Sequence, residues 1–337
     1  MKAMGKWMAS CALAAMLCAC GGGGDDAGSS LNVSATGSST QGTTVGSGQT
    51  ATLNVQSGDF ITLRTGAPVR WQAVITSNLT TLTNQSQSET VWSGNLISPT
   101  GDTIQLTGTL VSDASKVFKL NLTVAPQRYT VPAPKVGTVA TLTETTTRLG
   151  GTVSTQHIAY TTTAVANGIV TVDSVNADTN TPDVRYTQNL DGNRLTRTFL
   201  SNGNLCTYTP KRTLFTFPMY VGKSWTDTWN YSCVAGYRET GNVTATVVGY
   251  EPVTVAAGTY NALRVNFVIT YTNSNDSLLP NGNLGTATYS ETITGWWSPE
   301  LGRTVRWVSN NAYATGFSNA AYTKTFTQEL QSLQSPQ

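Results

Sequence analysis

The stretch VRYTQNLDGNRLTRTFLSNGNLCTYTP, Val184 to Pro210, decides the fold of the larger part of this 337-residue chain. Its three runs, VRYTQNL, RLTRTFL and LCTYTP, are rich in the Thr, Val, Tyr and Phe that suit a pleated, half-buried surface. Between them stand Asp191-Gly192 and Asn202-Gly203, pairs that reach the positive φ of a tight hairpin at little steric cost. An antiparallel meander follows. Working outward, VATLTETTTRL, VSTQHIAYTTTAV and GIVTVDSV read as further strands, and only Phe326 to Leu333 carries a 3.6-residue repeat. Residues 136–337 are therefore expected to form an antiparallel β domain, a curved sheet or half-barrel, with helix a minor component.

Residues 51–125 are β as well. ATLNV, FITLR, VRWQAVIT, ETVWSGNLI, TIQLTGTLV and VFKLNLTV are separated by short turn-forming segments. Ile104, Leu106, Gly108 and Leu110 alternate with polar residues, and Phe118, Leu120, Leu122 and Val124 face away from Val117, Lys119, Asn121 and Thr123. Six or seven strands in roughly 80 residues suggest a small sandwich of immunoglobulin-like type, with Trp71 and Trp92 in its core. PQRYTVPAPK, residues 126–135, carries three prolines and marks the expected boundary, because proline donates no ladder hydrogen bond.

The N-terminus gives an address. Lys2 and Lys6 precede an apolar run, Trp7 to Leu17, that is well short of the roughly 20 residues of a membrane span. Leu17-Cys18-Ala19-Cys20-Gly21 follows and resembles the lipobox of bacterial lipoproteins. The resemblance implies that residues 1–19 are a cleaved signal peptide, that Cys20 carries acyl chains, and that the lipid makes the membrane the first partner. Cleavage elsewhere, with Cys20 merely a third thiol of the signal, is the alternative. Gly21 stands where an Asp would retain the product in the inner membrane, so the implied destination is the outer membrane, periplasmic or surface-facing. Residues 20–50, beginning with a run of four glycines, are expected to be a flexible tether with a reach of about 30 Å.

Charge and cysteines narrow the classes. The formal charge is +2, and loss of Lys2 and Lys6 brings it to 2 − 2 = 0, which leaves no basic footprint for nucleic acid. Only 11% of residues are charged, as suits an exported protein whose outer faces are solvated by hydroxyls and amides. Cys11 and Cys18 leave with the signal and Cys20 takes the lipid, so Cys206 and Cys233 remain as an expected disulfide. Two buried thiols or a redox pair are the alternatives, although no Cys-x-x-Cys spacing favours the latter.

The densest pattern lies between Tyr220 and Val308: YVGKSWTDTWNYS, then GYEPVTVAAGTYNALRV, then GWWSPELGRTVRW. In this order these segments resemble a broad family of uncharacterised bacterial envelope proteins, known only as a domain of unknown function, and the resemblance implies a curved antiparallel sheet. Gly258 and Gly302 are the expected turn glycines, and Leu263, Val265, Phe267 and Ile269 share one face. Trp225, Asp227, Trp229 and Tyr231 also share a face, which places a carboxylate among aromatics. With Trp296 they form a candidate ligand face, unless they are a core cluster with Asp227 bonded to backbone, Arg264 or Arg306. Trp296 and Trp297 point opposite ways, so at most one enters the core.

Much chemistry is absent from the pattern. His157 is the one histidine, expected on a strand surface, so a His-based metal site is excluded, and neither a nucleophile elbow nor a P-loop is present. No cofactor is implied. The expectation is a non-enzymatic binding or structural module of the envelope, taking a glycan, a lipid or an envelope protein as ligand. The alternative is a carbohydrate-binding or glycosidase-like protein on the Trp225/Trp229 face, drawing a carboxylate pair from Asp227, Glu251, Glu291 or Glu300. Cys20→Ser should abolish palmitate labelling and release the chain from membranes; retention with no loss of label would contradict the anchor.

Overall fold

The computed structural model describes residues 30–36, 43–88, 90–274, 286–313 and 319–336, and their regular structure is entirely strand. The signal segment, Cys20 and the start of the glycine-rich stretch lie outside the described residues.

Nine strands make the N-terminal part: β1 (Ser30–Thr36), β2 (Thr43–Gly46), β3 (Thr50–Gln56), β4 (Phe60–Thr65), β5 (Val69–Ile75), β6 (Thr81–Gln87), β7 (Val91–Ile97), β8 (Asp102–Leu110) and β9 (Val117–Ala125). They form one sheet in the order β2-β1-β4-β7-β6 and a second in the order β3-β9-β8-β5. A single core serves both, with Ile61, Leu63, Trp92 and Leu96 of the first sheet beside Leu53, Leu106, Phe118, Leu120 and Leu122 of the second. Trp71 packs at its margin. The span expected as tether up to residue 50 is corrected here. β1 pairs with β4 from Leu31↔Thr65 to Thr36↔Phe60, and Val45 of β2 is buried in the core. A ladder is made by backbone groups, so the polar composition of residues 30–46 does not forbid it, and β1 covers what would be a free edge of β4. Polar β6, TLTNQSQ, is likewise invisible to apolar alternation because it is the sheet's last strand.

The remaining strands are β10 (Val139–Arg148), β11 (Val153–Ala166), β12 (Ile169–Asn176), β13 (Thr181–Asn189), β14 (Arg194–Phe199), β15 (Leu205–Arg212), β16 (Ser224–Cys233), β17 (Arg238–Val255), β18 (Gly258–Ser274), β19 (Thr286–Ser298), β20 (Arg303–Tyr313) and β21 (Thr323–Gln334). They follow one another in sequence order around a closed antiparallel barrel, so the curved sheet or half-barrel is a complete ring. Gly192 and Gly203 take φ of 79° and 71° in the hairpins read from Asp-Gly and Asn-Gly. Closure comes from β10 and β21, paired from Val139↔Gln334 to Arg148↔Thr323. The helical repeat at Phe326 to Leu333 is thus a strand. Its register against β10 slips between Leu330↔Leu142 and Ser332↔Thr141, so that Leu330 and Leu333 meet Leu142 and Ala140 in one small core. A bulge that restores two leucines to one face imitates a helical spacing of three.

The outer face carries many hydroxyls and amides beside exposed Val153, Val248 and Val268, and much of the inner face is aromatic or aliphatic. Outward hydroxyls and amides bond across strands, Thr228 Oγ1 to Asn242 Oδ1 at 2.9 Å and Thr240 Oγ1 to Asn230 Oδ1 at 2.9 Å. Inward lie Trp229, Val243, Ala245, Phe267, Ile269, Ile293 and Trp297. Two inward indoles stand opposite glycines, Trp229 across from Gly241 and Trp307 across from Gly295, and Trp71 repeats the pairing with Gly108 in the N-terminal sheet. The ring takes the space that the missing side chain leaves. A Cβ on Gly295 would come within 3.0 Å of Trp307, and one on Gly241 would strike the Trp229 indole.

Cys206 and Cys233 face each other across β15 and β16 and form the disulfide, their Cα atoms 3.9 Å apart. With a sequence separation of 27, the cross-link contributes about 3 to 4 kcal/mol in the chain-entropy account. Overpacking sets the test of the interior. Gly241→Ala should lower the urea-unfolding free energy by about 1 to 3 kcal/mol; an unchanged midpoint would show that Trp229 does not depend on this glycine.

Candidate ligand-binding lumen

In a meander, alternate turns gather at the two ends of the barrel. The β13–β14 and β19–β20 turns share one end, and residues 130–135 lie across it, with Pro132 packed on Gly302 and the neighbouring residues beside Leu190 and Phe217. Tyr129 holds this strap in place by exchanging two 2.8 Å backbone hydrogen bonds with Met219 and stacking on Tyr250 at 5.7 Å.

Inside the ring are two adjoining cavities of about 420 and 480 Å³, both bordered by Arg197 and Arg212. The first is lined by Phe199, Tyr208, Tyr231, Tyr237, Tyr271 and Tyr289, with Glu239. The second reaches Glu144, Tyr160, Tyr186, Arg194 and Glu291. Strand alternation places Arg197, which sits in register with buried Tyr186 on β13 and buried Cys206 on β15. Arg212 arrives differently. The β14–β15 register runs from Thr196↔Thr207 to Arg194↔Arg212, so β15 carries extra residues there, among them Pro210, which has no amide hydrogen to donate.

The charges inside are unevenly satisfied. Glu144 accepts from Tyr160 Oη at 2.8 Å and Gln328 Nε2 at 2.7 Å, Glu239 from Tyr237 Oη at 2.8 Å, and Glu291 from Tyr271 Oη at 3.0 Å. The arginines rest on rings. The Arg197 guanidinium is 4.3 Å from the Phe199 centroid, Arg194 is 4.1 Å from Tyr186, and Arg212 is 5.5 Å from Trp229. Arg212 Nη2 also donates to Tyr271 Oη at 3.2 Å. Among the described residues, no carboxylate stands within 4.0 Å of any of the three, and the Nε groups of Arg197 and Arg212 are buried without an acceptor. Burial opposes the Arg212 charge, but the Tyr271 and Tyr208 hydroxyls and the fields of Glu291 and Glu239 hold its pKa above the ordinary guanidinium value. Burial likewise pushes Tyr231 up to about 12 and raises Glu239 above the usual carboxylate range, against the hydrogen bond from Tyr237.

Trp225, Asp227, Trp229 and Tyr231 share the inner face of β16, as alternation predicts, whereas Trp296 takes the face opposite to buried Trp297. Trp229 is fully buried and Tyr231 is buried beside Tyr208 at 4.5 Å, where it borders the first cavity. Trp225 is half-buried edge-on against Phe267 at 6.2 Å, and half-buried Asp227 accepts from the Thr228 amide at 2.8 Å. Trp297 enters the core, while Trp296 donates Nε1 to Glu251 at 2.8 Å beneath the Arg306 guanidinium. No open groove unites Trp225 and Trp229, because the second ring is sealed inside. Of the four carboxylates weighed for glycoside chemistry, Glu291 lines the lumen, Glu251 is held by Trp296, and exposed Glu300 lies in the β19–β20 turn. His157 is half-exposed with Nδ1 2.8 Å from Asp178. Among the described residues no three potential metal ligands gather. Arg194, Arg197 and Arg212 escaped the sequence reading. Arg197 was within its reach, because simple alternation puts it on one face with Phe199 and, across the hairpin, with Tyr186.

No protein-family model matches the chain, and no curated protein matches it. Among solved structures it is similar to a protein of YmcC-like fold from Bacteroides fragilis, with 13% identity, 62% of this chain and 100% of that one covered, and a TM-score of 0.38. It is similar also to the hypothetical lipoprotein YmcC from Escherichia coli, with 13% identity, 59% and 85% covered, and a TM-score of 0.32. A third, from Parabacteroides distasonis and again with lipoprotein in its name, has 13% identity, covers 62% and 100%, and gives a TM-score of 0.34.

The raised pKa of Glu239 has a sign that can be measured. Its contribution to stability is fully present below the ordinary glutamate pKa and is lost as pH rises through the folded-state value. Thermal melts of the wild type and Glu239→Gln should therefore diverge in favour of the variant as pH rises from about 4 toward neutrality. A difference that stays constant with pH would contradict the burial of this carboxylate.

Proposed function

We propose that the chain is a lipid-anchored binding protein of the cell envelope, held by Cys20 at the outer membrane, and that its ligand enters the barrel lumen. The anchor rests on the lipobox-like Leu17 to Cys20 and on the Cys206–Cys233 disulfide, which suits an oxidising compartment. For the two N-terminal sheets we propose an immunoglobulin-like sandwich that spaces the barrel from the anchor, with the common core of the sheets in its favour.

One observation carries the binding reading. The lumen keeps about 420 Å³ of space amid converging phenols and guanidinium groups, although the same barrel packs Trp229, Phe267 and Trp297 tightly farther along the same strands. Small-molecule sites have volumes of about 300 to 1,000 Å³ and a few convergent polar groups in an aromatic wall. A non-enzymatic role fits the lumen's carboxylates, each engaged by tyrosine hydroxyls or by Gln328, and the outward placement of His157. The Trp225/Trp229 face offers no comparable opening.

A ligand-observed NMR screen of ring-containing fragments against the full chain in detergent tests this. Phe199→Trp, which fills the first cavity, should weaken the hits at least fivefold while the circular dichroism melt stays cooperative. Hits that bind the variant as they bind wild type would place them outside the lumen and contradict the proposal.

A further inference from the structure

The geometry points to a class of ligand: we propose that the lumen selects small, flat organic acids, reading the carboxylate with Arg197 and Arg212 and the body with the tyrosine panel. This rests on the lumen being the binding site. Glu144, Glu239 and Glu291 already accept from Tyr160, Gln328, Tyr237 and Tyr271. Arg197 and Arg212 border both cavities with no carboxylate within 4.0 Å among the described residues, and their buried Nε groups have no acceptor in the protein. The complement that this polar lining calls for is therefore a pair of acceptor oxygens. Guanidinium forks take a carboxylate in a planar, bidentate geometry.

The surroundings select among anions. Glu239 and Glu291 lie close enough to Arg212 to raise its pKa, so a second negative charge on the ligand would be placed against two carboxylates. A monoanion is favoured over a phosphate dianion. The wall beside the forks is made of rings, with Tyr208 and Tyr231 at 4.5 Å and Tyr271 and Tyr289 stacked at 4.8 Å. Flat faces of this kind accept a planar body by offset stacking. A volume of about 420 Å³ suits a molecule of one or two rings. Long acyl chains and polymers do not match so short a chamber.

The test is calorimetric titration of the full chain in detergent with benzoate, its neutral counterpart benzamide, and phenyl phosphate. Benzoate should bind at least tenfold more tightly than either of the others. Arg197→Gln should lower benzoate affinity at least tenfold and erase the preference while leaving benzamide where it was, and Arg197→Lys should fall between. If Arg197→Gln does not fold, the acid-against-amide comparison on wild type decides. Equal binding of benzoate and benzamide would overturn the acid class and leave the lumen reading standing. Tighter binding of phenyl phosphate would overturn the carboxylate assignment. Failure of every probe together with the fragment panel would remove both.

Discussion

The pairing of β10 with β21 is the constraint on which the rest of the molecule depends. An open meander of twelve strands would leave two edges of unpaired amides and a curved inner face that it could not bury alone. Joining first strand to last satisfies those edges and encloses the inner face. An arginine on an open sheet would point to water, whereas the same residue in a closed ring is surrounded by wall. The disulfide reinforces one strand pair of that wall, and the strap at residues 130–135 lies across one end.

Closure also divides the interior. Along one stretch of β16 to β19 the inward residues are large and apolar, and glycines at Gly241 and Gly295 give the Trp229 and Trp307 indoles room, so that part is filled. Around the cavities the inward residues are phenolic or charged, Tyr186, Arg197, Tyr208 and Arg212 on β13 to β15 with Tyr231, Glu239, Tyr271 and Glu291 on β16 to β19. Rings support the guanidinium groups in place of ion pairs, which keeps the charges in position without neutralising them. A preorganised site whose guanidinium groups make no direct ion pair is suited to recognition.

The all-β character, the hairpins at Asp191-Gly192 and Asn202-Gly203, and the shared faces of Leu263 to Ile269 were all legible, because each rests on local chemistry and period two. Closure was not, since nothing local to β10 or β21 records that the two will meet. The bulge in β21 disguised it further by giving a strand the spacing of a helix. β1, β2 and β6 were hidden because backbone pairing recruits polar segments that carry little apolar pattern. Of the lumen's lining only Tyr231 and, among the carboxylates, Glu291 were singled out, for a related reason. Trp225, Asp227 and Trp229 drew attention through residue type, but their depth depends on partners across the sheet, and the aromatic ring most suggestive of a ligand face is the most deeply buried. Arg212 needed the irregularity around Pro210 to turn inward, which alternation alone does not reveal.

The central claim is that Arg197 and Arg212 border the chamber without a carboxylate partner, and that a ligand carboxylate supplies one. The most direct measurement is the Nε–H resonance of each arginine by NMR in the full chain, before and after saturation with benzoate. Both resonances should move downfield as the carboxylate accepts from them, and benzamide should leave them in place. Resonances unchanged by any ring-bearing acid, in a chain that remains folded, would contradict the account.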